Sequence, residues 1–379
     1  MLRKTFLCFL SLHVFSALMT YAANANEQSI FPAQTYISVS DQTPVMVGDK
    51  TLKTVPLGTV VVVSRSNGNW RYSQDEKGWL HLRHLITPQD AITKFTAEIA
   101  DKPTSRAYQL RGIAFMTQDE WVKAAQDFEK ALDLGESGVT LHLNLGACYT
   151  QMGELASAIE EYDAILKTYP DDFHASLARG NVLLLQGQFA AALRDLEHAS
   201  KLDPKSTDAL VARGVSLRML GRFEEAITQY DNALKIDPKR ADALANRGYS
   251  RKALGDLREA LNDYEAAVQL APDSPGIRND LAWLLATCPD KSIRNGERAV
   301  TLSEAVCKDT NNKNGEYLDT LAAAYASCSR FPAAIEAARL ALTVMGDHPG
   351  AEATKKRLEL YEKEQPYFEN PASAKESQE

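Results

Sequence analysis

Glycine stands at Gly112, Gly146, Gly180, Gly214 and Gly248, each 34 residues after the last. Ala124, Ala158, Ala192, Ala226 and Ala260 keep the same step, as do Phe128, Tyr162, Leu196, Tyr230 and Tyr264, and again Pro170, Pro204, Pro238 and Pro272. A fixed period of this length limits the architecture before any helix is named, because each period is one supersecondary unit that buries its apolar face only against the next. Within a unit, a small residue in one helix and an alanine in the other let the two helices approach closely, and the large residue fills the groove between them. Proline then stops the second helix and opens the next unit.

The pattern resembles the tetratricopeptide repeat, in five copies over residues 105–272. After Pro272 the count slips: the alanine expected at 294 arrives at Ala299, five residues late. "RNDLAWLLAT" still reads as a first helix and "GERAVTLSEAVCK" as a second, so the extra residues fall in the turn between them, with Pro289 and Asn295-Gly296. Ala322, Tyr325, Ala334 and Ala338 resume the spacing. Residues 273–345 therefore read as two divergent repeats with an enlarged turn, similar to the closing repeat pair of many exported bacterial tetratricopeptide proteins. Residues 350–364 read as a charged capping helix, and 365–379 as a disordered tail.

Ahead of the helices the apolar period changes to two. From Thr35 to Leu85, β-branched runs are cut by turn residues, which predicts about five short strands in a small all-β unit. "TVVVVSRS" (59–66) reads as a strand, Asn67-Gly68 as a turn and "NWRYSQ" (69–74) as the partner strand. Through "TPVMVGDKTLKTVPLGTVVVVSRSNGNW" and Gly78-Trp79, the unit resembles bacterial Src-homology-3-like domains. We assign residues 26–86 to this barrel and 87–104, with Pro88 and Pro103, to a linker. The fold class expected is thus mainly α: a right-handed α-solenoid of tetratricopeptide hairpins preceded by a small Src-homology-3-like β-barrel. Trp70, Tyr72 and Trp79 are expected to fill the barrel core. His81 and His84, three apart on a strand, would face opposite ways and so could not share a metal.

The opening residues carry Arg3 and Lys4, then an apolar run, then Ala23-Asn24-Ala25, a small-x-small site; residues 1–25 are read as a cleaved signal peptide. The expected location is periplasmic or secreted, with no membrane span after cleavage. Cleavage moves the formal charge from −8 to −10, because the removed segment holds two bases and no acid. With no long basic run, a nucleic-acid role is excluded. Four cysteines would remain, Cys148, Cys288, Cys307 and Cys328, none in a C-x-x-C spacing, so no structural zinc site is expected; Cys288 and Cys328 stand at equivalent positions of adjacent repeats, whose helices pack beyond disulfide reach, so no bridge is expected unless the enlarged turn folds back.

The sequence holds no G-x-S-x-G, Walker loop, H-E-x-x-H or Gly-rich phosphate loop, and we expect no enzyme, cofactor or metal. Arg111, Arg179, Arg213 and Arg247 each precede a repeat glycine and could suggest an anion site. Antiparallel pairing instead sets them opposite Asp127, Asp195, Gln229 and Asp263 of their own hairpins, which predicts a structural ion-pair ladder. Binding is expected on the concave face of the first helices, at Leu143, Asn144, Asn181, Val215, Arg218, Asn246, Tyr249 and Lys252. One tetratricopeptide class grips chaperone tails with Lys and Asn, then Asn, then Lys and Arg. The equivalent residues here, Gln109, Ile113, Asn144, His174 and Ala178, match at a single position, so that ligand is not expected. The functional expectation is a scaffold for a protein or peptide in the cell envelope. Self-association stays open, as does cell-wall contact through the barrel with the solenoid as a spacer.

Overall fold

The computed structural model describes residues 34–369, which divide into two compact units at Val182/Leu183. The signal-peptide reading lies outside the described residues.

The first unit opens with eight antiparallel strands: β1 (Gln34–Ser38), β2 (Gln42–Val47), β3 (Lys50–Pro56), β4 (Val60–Val63), β5 (Arg65–Asn67), β6 (Trp70–Ser73), β7 (Gly78–His81) and β8 (Leu85–Ile86). They form a three-stranded sheet in the order β4-β1-β8 and a five-stranded sheet in the order β3-β2-β7-β6-β5. The run read as one strand over 59–66 breaks at Ser64 into β4 and β5, which serve different sheets. Its turn sits one residue later than predicted, since Asn67 pairs with Trp70 and Gly68 takes a left-handed φ of +55°.

Strand alternation explains how this small unit builds two cores. Tyr36 packs with Val45, Val55, Val61, Val63, Leu80 and Leu85 inside the β region. Its neighbour Ile37, on the other face of β1, is buried among helical residues including Leu110 and Ile113. Leu80 points inward, so Trp79 and His81 point outward. The aromatics expected in the core therefore line the outer face: Trp70 is 37% exposed and meets His81 edge-on, while Tyr72 and Trp79 are half-buried against each other. His84 sits in a 3-10 turn after the strand and hydrogen-bonds Ser40 Oγ at 2.6 Å.

The expected linker is a helix. Helix α1 (Pro88–Asp101) is capped by the Thr87 hydroxyl, and Pro88 holds the first turn, where a missing N–H costs nothing. Ala91 and Phe95, four apart, seat it in the core shared with β1. The proline read as a linker signal was a helix start.

The helical hairpins of the first unit follow as α2 (Ser105–Met116) with α3 (Trp121–Asp133), and α4 (Val139–Met152) with α5 (Leu155–Thr168). The unit boundary falls within α6 (Phe173–Leu185), which pairs in sequence with α7 (Phe189–Leu202). The second unit continues with α8 (Thr207–Met219), α9 (Phe223–Ile236), α10 (Ala241–Leu254), α11 (Leu257–Leu270), α12 (Pro275–Thr287), α13 (Gly296–Asp309), α14 (Gly315–Ser327), α15 (Phe331–Met345) and α16 (Ala351–Glu362). Within each unit the helices form the stacked repeat hairpins expected of a solenoid.

The periodic residues do the packing. All five repeat alanines are fully buried, and Phe128, Tyr162, Leu196, Tyr230 and Tyr264 are at most 2% exposed. A methyl added at Gly112, Gly146 or Gly214 would sit 2.7, 2.7 or 2.5 Å from the ring sixteen residues on, so only glycine admits the aromatic at this approach.

Candidate peptide-binding groove

The arginine ladder is structural. Arg111 forks onto Asp127 at 2.8 and 2.7 Å, and Arg247 onto Asp263 at 3.0 and 2.6 Å, both within their own hairpins. The expected pairing was incomplete, because the side chains also reach back into the preceding repeat: Arg179 to Asp163 at 2.5 Å, Arg213 to Glu197 at 3.4 Å and Arg247 to Asp231 at 2.6 Å. A guanidinium presents several donors in one plane, so a single arginine can bridge two repeats.

The predicted groove residues separate into two groups. In the first unit, Leu143 is half-buried and packs against the core around Tyr162, Asn144 is half-buried and Asn181 is buried. In the second unit, Val215 and Arg218 are buried, and the Arg218 guanidinium lies 4.8 Å from the Tyr249 ring centroid. Lys252 Nζ approaches the same ring at 5.5 Å, so Tyr249 is held between two cations. Asn246 donates back to the Asp242 carbonyl of its own helix at 2.8 Å.

Repeat phase shows what the sequence reading missed. Helix α12 is still in register, so Val215, Tyr249 and Trp283 share one position, Asn246 and Asp280 a second, and Arg218 and Lys252 a third. Trp283 and Asp280 therefore extend the same face. Burial pushes the Asp280 carboxyl up to about 6, against the opposing pull of Lys252 and Arg218. Burial alone would lower the Lys252 ammonium, but Glu369 and Tyr249 outweigh it, and the net direction is up.

This face is occupied by the chain itself. Residues 365–369, read as the start of a disordered tail, turn back after α16 onto the second unit. Glu369 takes hydrogen bonds from Lys252 Nζ at 3.0 Å to each carboxylate oxygen and from Trp283 Nε1 at 3.0 Å, and its own N–H donates to the Thr287 carbonyl at 2.8 Å. Phe368 lies under the Arg294 guanidinium at 4.0 Å, and Arg294 is braced by a 2.9 Å hydrogen bond to the Cys288 carbonyl. Tyr367 sits beside Trp283, with ring centroids 6.1 Å apart, and Arg357 lies over both rings. Composition concealed this: "NPASAKESQE" is polar and small, but the aromatic pair just ahead of it finds cationic partners.

Arg294 belongs to the enlarged turn between α12 and α13. The turn also buries Ile293 and caps α13 through Asn295. The five extra residues thus supply one wall of the groove.

Nothing in this arrangement favours covalent chemistry. The four described cysteines are free, and burial pushes the thiols up, that of Cys148 to about 12 and that of Cys307 to about 11, away from the thiolate a nucleophile needs. Among the described residues there is no cluster of three or more metal-ligating side chains, and no helix is long and apolar enough to cross a membrane.

Tetratricopeptide repeat family models match residues 115–180, 177–241 and 241–274. Over residues 115–274 the chain is thus similar to tetratricopeptide repeat proteins, which are protein–protein interaction scaffolds. Among curated proteins, sperm-associated antigen 1 of Mus musculus and of Rattus norvegicus are each 29% identical over 84 residues, 22% of this chain; the match spans only 9% of either antigen. Among solved structures, YrrB, a TPR protein with an unusual peptide-binding site, is 25% identical with a TM-score of 0.40, over 47% of this chain and 93% of that one. TTC0263, a thermophilic TPR protein of Thermus thermophilus, is 19% identical with a TM-score of 0.41, over 48% of this chain and 99% of that one.

Proposed function

We propose that the chain is an exported, non-enzymatic scaffold of the cell envelope that holds a peptide or protein against the first helices of its hairpins. The observation that carries this reading is the column Val215, Tyr249, Trp283, flanked by Arg218 and Lys252. It places aromatic and cationic side chains, half-buried at Tyr249, Lys252 and Trp283, on a face that a solenoid of this family presents to partners. Tyr, Trp and Arg are the side chains that most often anchor protein interfaces. Affinity capture on the immobilised full chain tests the reading: a protein retained by the wild type and lost with Tyr249→Ala supports it, and retention unchanged by that substitution removes the groove from the account.

A second reading rests on the outward-facing Trp70, Tyr72 and Trp79. The guanidinium of Arg65 lies 5.6 Å from the Tyr72 ring, making an aromatic face suited to a cell-wall ligand. Sedimentation with purified sacculi, abolished by Trp79→Ala, would favour it.

A further inference from the structure

The segment Tyr367–Glu369 is held as a ligand is held, and its surroundings differ from those of a core. It has no regular secondary structure and makes one main-chain hydrogen bond to the repeats, from Glu369 N to Thr287 O. Phe368 remains 40% exposed and the Glu369 side chain 32% exposed, whereas Tyr361, on the last turn of α16, is fully buried. The attachments are specific nonetheless: an ammonium and an indole N–H converge on one carboxylate, and a separate arginine covers each of the two preceding rings. Each of these receptor groups is held by other parts of the fold. Arg357 forks onto buried Asp319 at 3.1 and 2.5 Å, Arg294 is tied to the enlarged turn, and Lys252 stands over Tyr249.

We infer that this end of the groove is a recognition site for short peptides carrying two adjacent aromatics followed by a carboxylate, and that the chain's own Tyr367–Glu369 occupies it at rest. The inference rests on the scaffold reading and names the ligand chemistry for the same face. Lys252 and Trp283 select the carboxylate, while Arg357 and Arg294 select the rings; a neutral residue in place of the acid would leave the half-buried Lys252 ammonium without its carboxylate partner. A partner with the same chemistry must displace the tethered segment. An intramolecular occupant competes at an effective concentration of about 1 mM. A free peptide of roughly 10–100 µM intrinsic affinity would thus appear about 10- to 100-fold weaker on the closed chain.

The test uses a fluorescein-labelled peptide of residues 365–371, Gln-Pro-Tyr-Phe-Glu-Asn-Pro, and fluorescence polarisation. It is titrated against the wild-type full chain and the full chain carrying Tyr367→Ala, Phe368→Ala and Glu369→Ala. Binding to the released chain at least about tenfold tighter than to the wild type, and lost when Lys252→Gln is added or the peptide carries Gln in place of Glu, is the expected result. No binding to the released chain, or equal binding to both, overturns the inference. If the triple variant does not fold by circular dichroism, Glu369→Lys alone, at a part-exposed position, gives the same comparison. Peptide binding to the released chain with protein capture insensitive to Tyr249→Ala would sustain the recognition site while the scaffold reading of the face fails. Capture sensitive to Tyr249→Ala without peptide binding would remove this inference alone.

Discussion

Lys252 Nζ lies 3.0 Å from both carboxylate oxygens of Glu369, 117 residues further along the chain. With the Trp283 indole on the same carboxylate, this contact joins the fifth repeat, the first divergent repeat and the segment beyond α16. The five-residue insertion that breaks the 34-residue count serves the same place, because it carries Arg294 to Phe368.

Repeat packing makes Gly214 intolerant of a side chain. A methyl there would sit 2.5 Å from the buried Tyr230 ring. Overpacking of this kind costs about 1–3 kcal/mol, partly offset by a gain of about 1 kcal/mol in helix propensity. Gly214→Ala should therefore lower stability by roughly 1 kcal/mol in chemical denaturation, and the loss should shrink or reverse in a Tyr230→Leu background. An equal effect in both backgrounds would separate the two residues.

The ion-pair ladder should be energetically uneven. Arg247 and Asp263 are 17% and 4% exposed, and Arg247 also bridges to Asp231, whereas Arg222 and Glu225 form an open pair on the surface. Arg247→Ala strands a buried carboxylate that retains only Arg251, and should cost about 2–4 kcal/mol. Arg222→Ala should leave the denaturation curve almost unchanged, because solvent screens the open pair. Denaturation curves giving similar losses for both would contradict this ordering.

Asp280 gives the groove a pH signature. Lys252, Arg218 and Tyr264 are its charged and titratable neighbours, Lys252 being paired with Glu369, and burial raises its carboxyl from 3.8 to about 6. The folded chain thus binds this proton more tightly than the unfolded chain does. Ionisation at this site costs stability, with no cost below about 3.8, a rising cost up to about 6 and the full cost above it. Asp280→Asn should raise Tm at pH 8 and give a smaller gain at pH 5. A larger gain at pH 5 would reverse the assigned sign.

Thiol reactivity should follow exposure. Cys148, Cys288 and Cys307 are buried and Cys328 is half-buried, with every thiol pushed up by burial. Native-state alkylation followed by peptide mapping should label Cys328 first. First labelling at Cys148 would contradict the packing of α4.

How far the sequence revealed this molecule depended on whether a residue's role repeats. The Gly214–Tyr230 contact recurs at Gly112, Gly146 and Gly248, and its geometry was legible because the same spacing repeats along the sequence. Helix α1 was missed because it occurs once and begins at a proline, which reads as a break unless the helix behind it is recognised. The outward turn of Trp70 and Trp79 depends on which alternate residues of β6 and β7 face the sheet interior, and large aromatics alone do not reveal that register. At the groove, Arg218, Tyr249 and Lys252 were reachable from repeat position. Trp283 and Asp280 fall at the same positions one period on, in a helix that precedes the enlarged turn and keeps phase, but the groove was drawn only across the five regular repeats. The Glu369 contact, 117 residues distant, left no periodic trace.

A photo-crosslinking scan tests the central claim, that partners are held on the first-helix face of the second unit, most directly. The full chain would carry a benzophenone amino acid at Asn246 or Tyr249 in the groove, or at Glu224 or Lys235 on the exposed side of α9. Irradiation in its native compartment should give protein adducts from Asn246 and Tyr249 and none from Glu224 or Lys235. Adducts from Glu224 or Lys235, with none from the groove, would contradict the account.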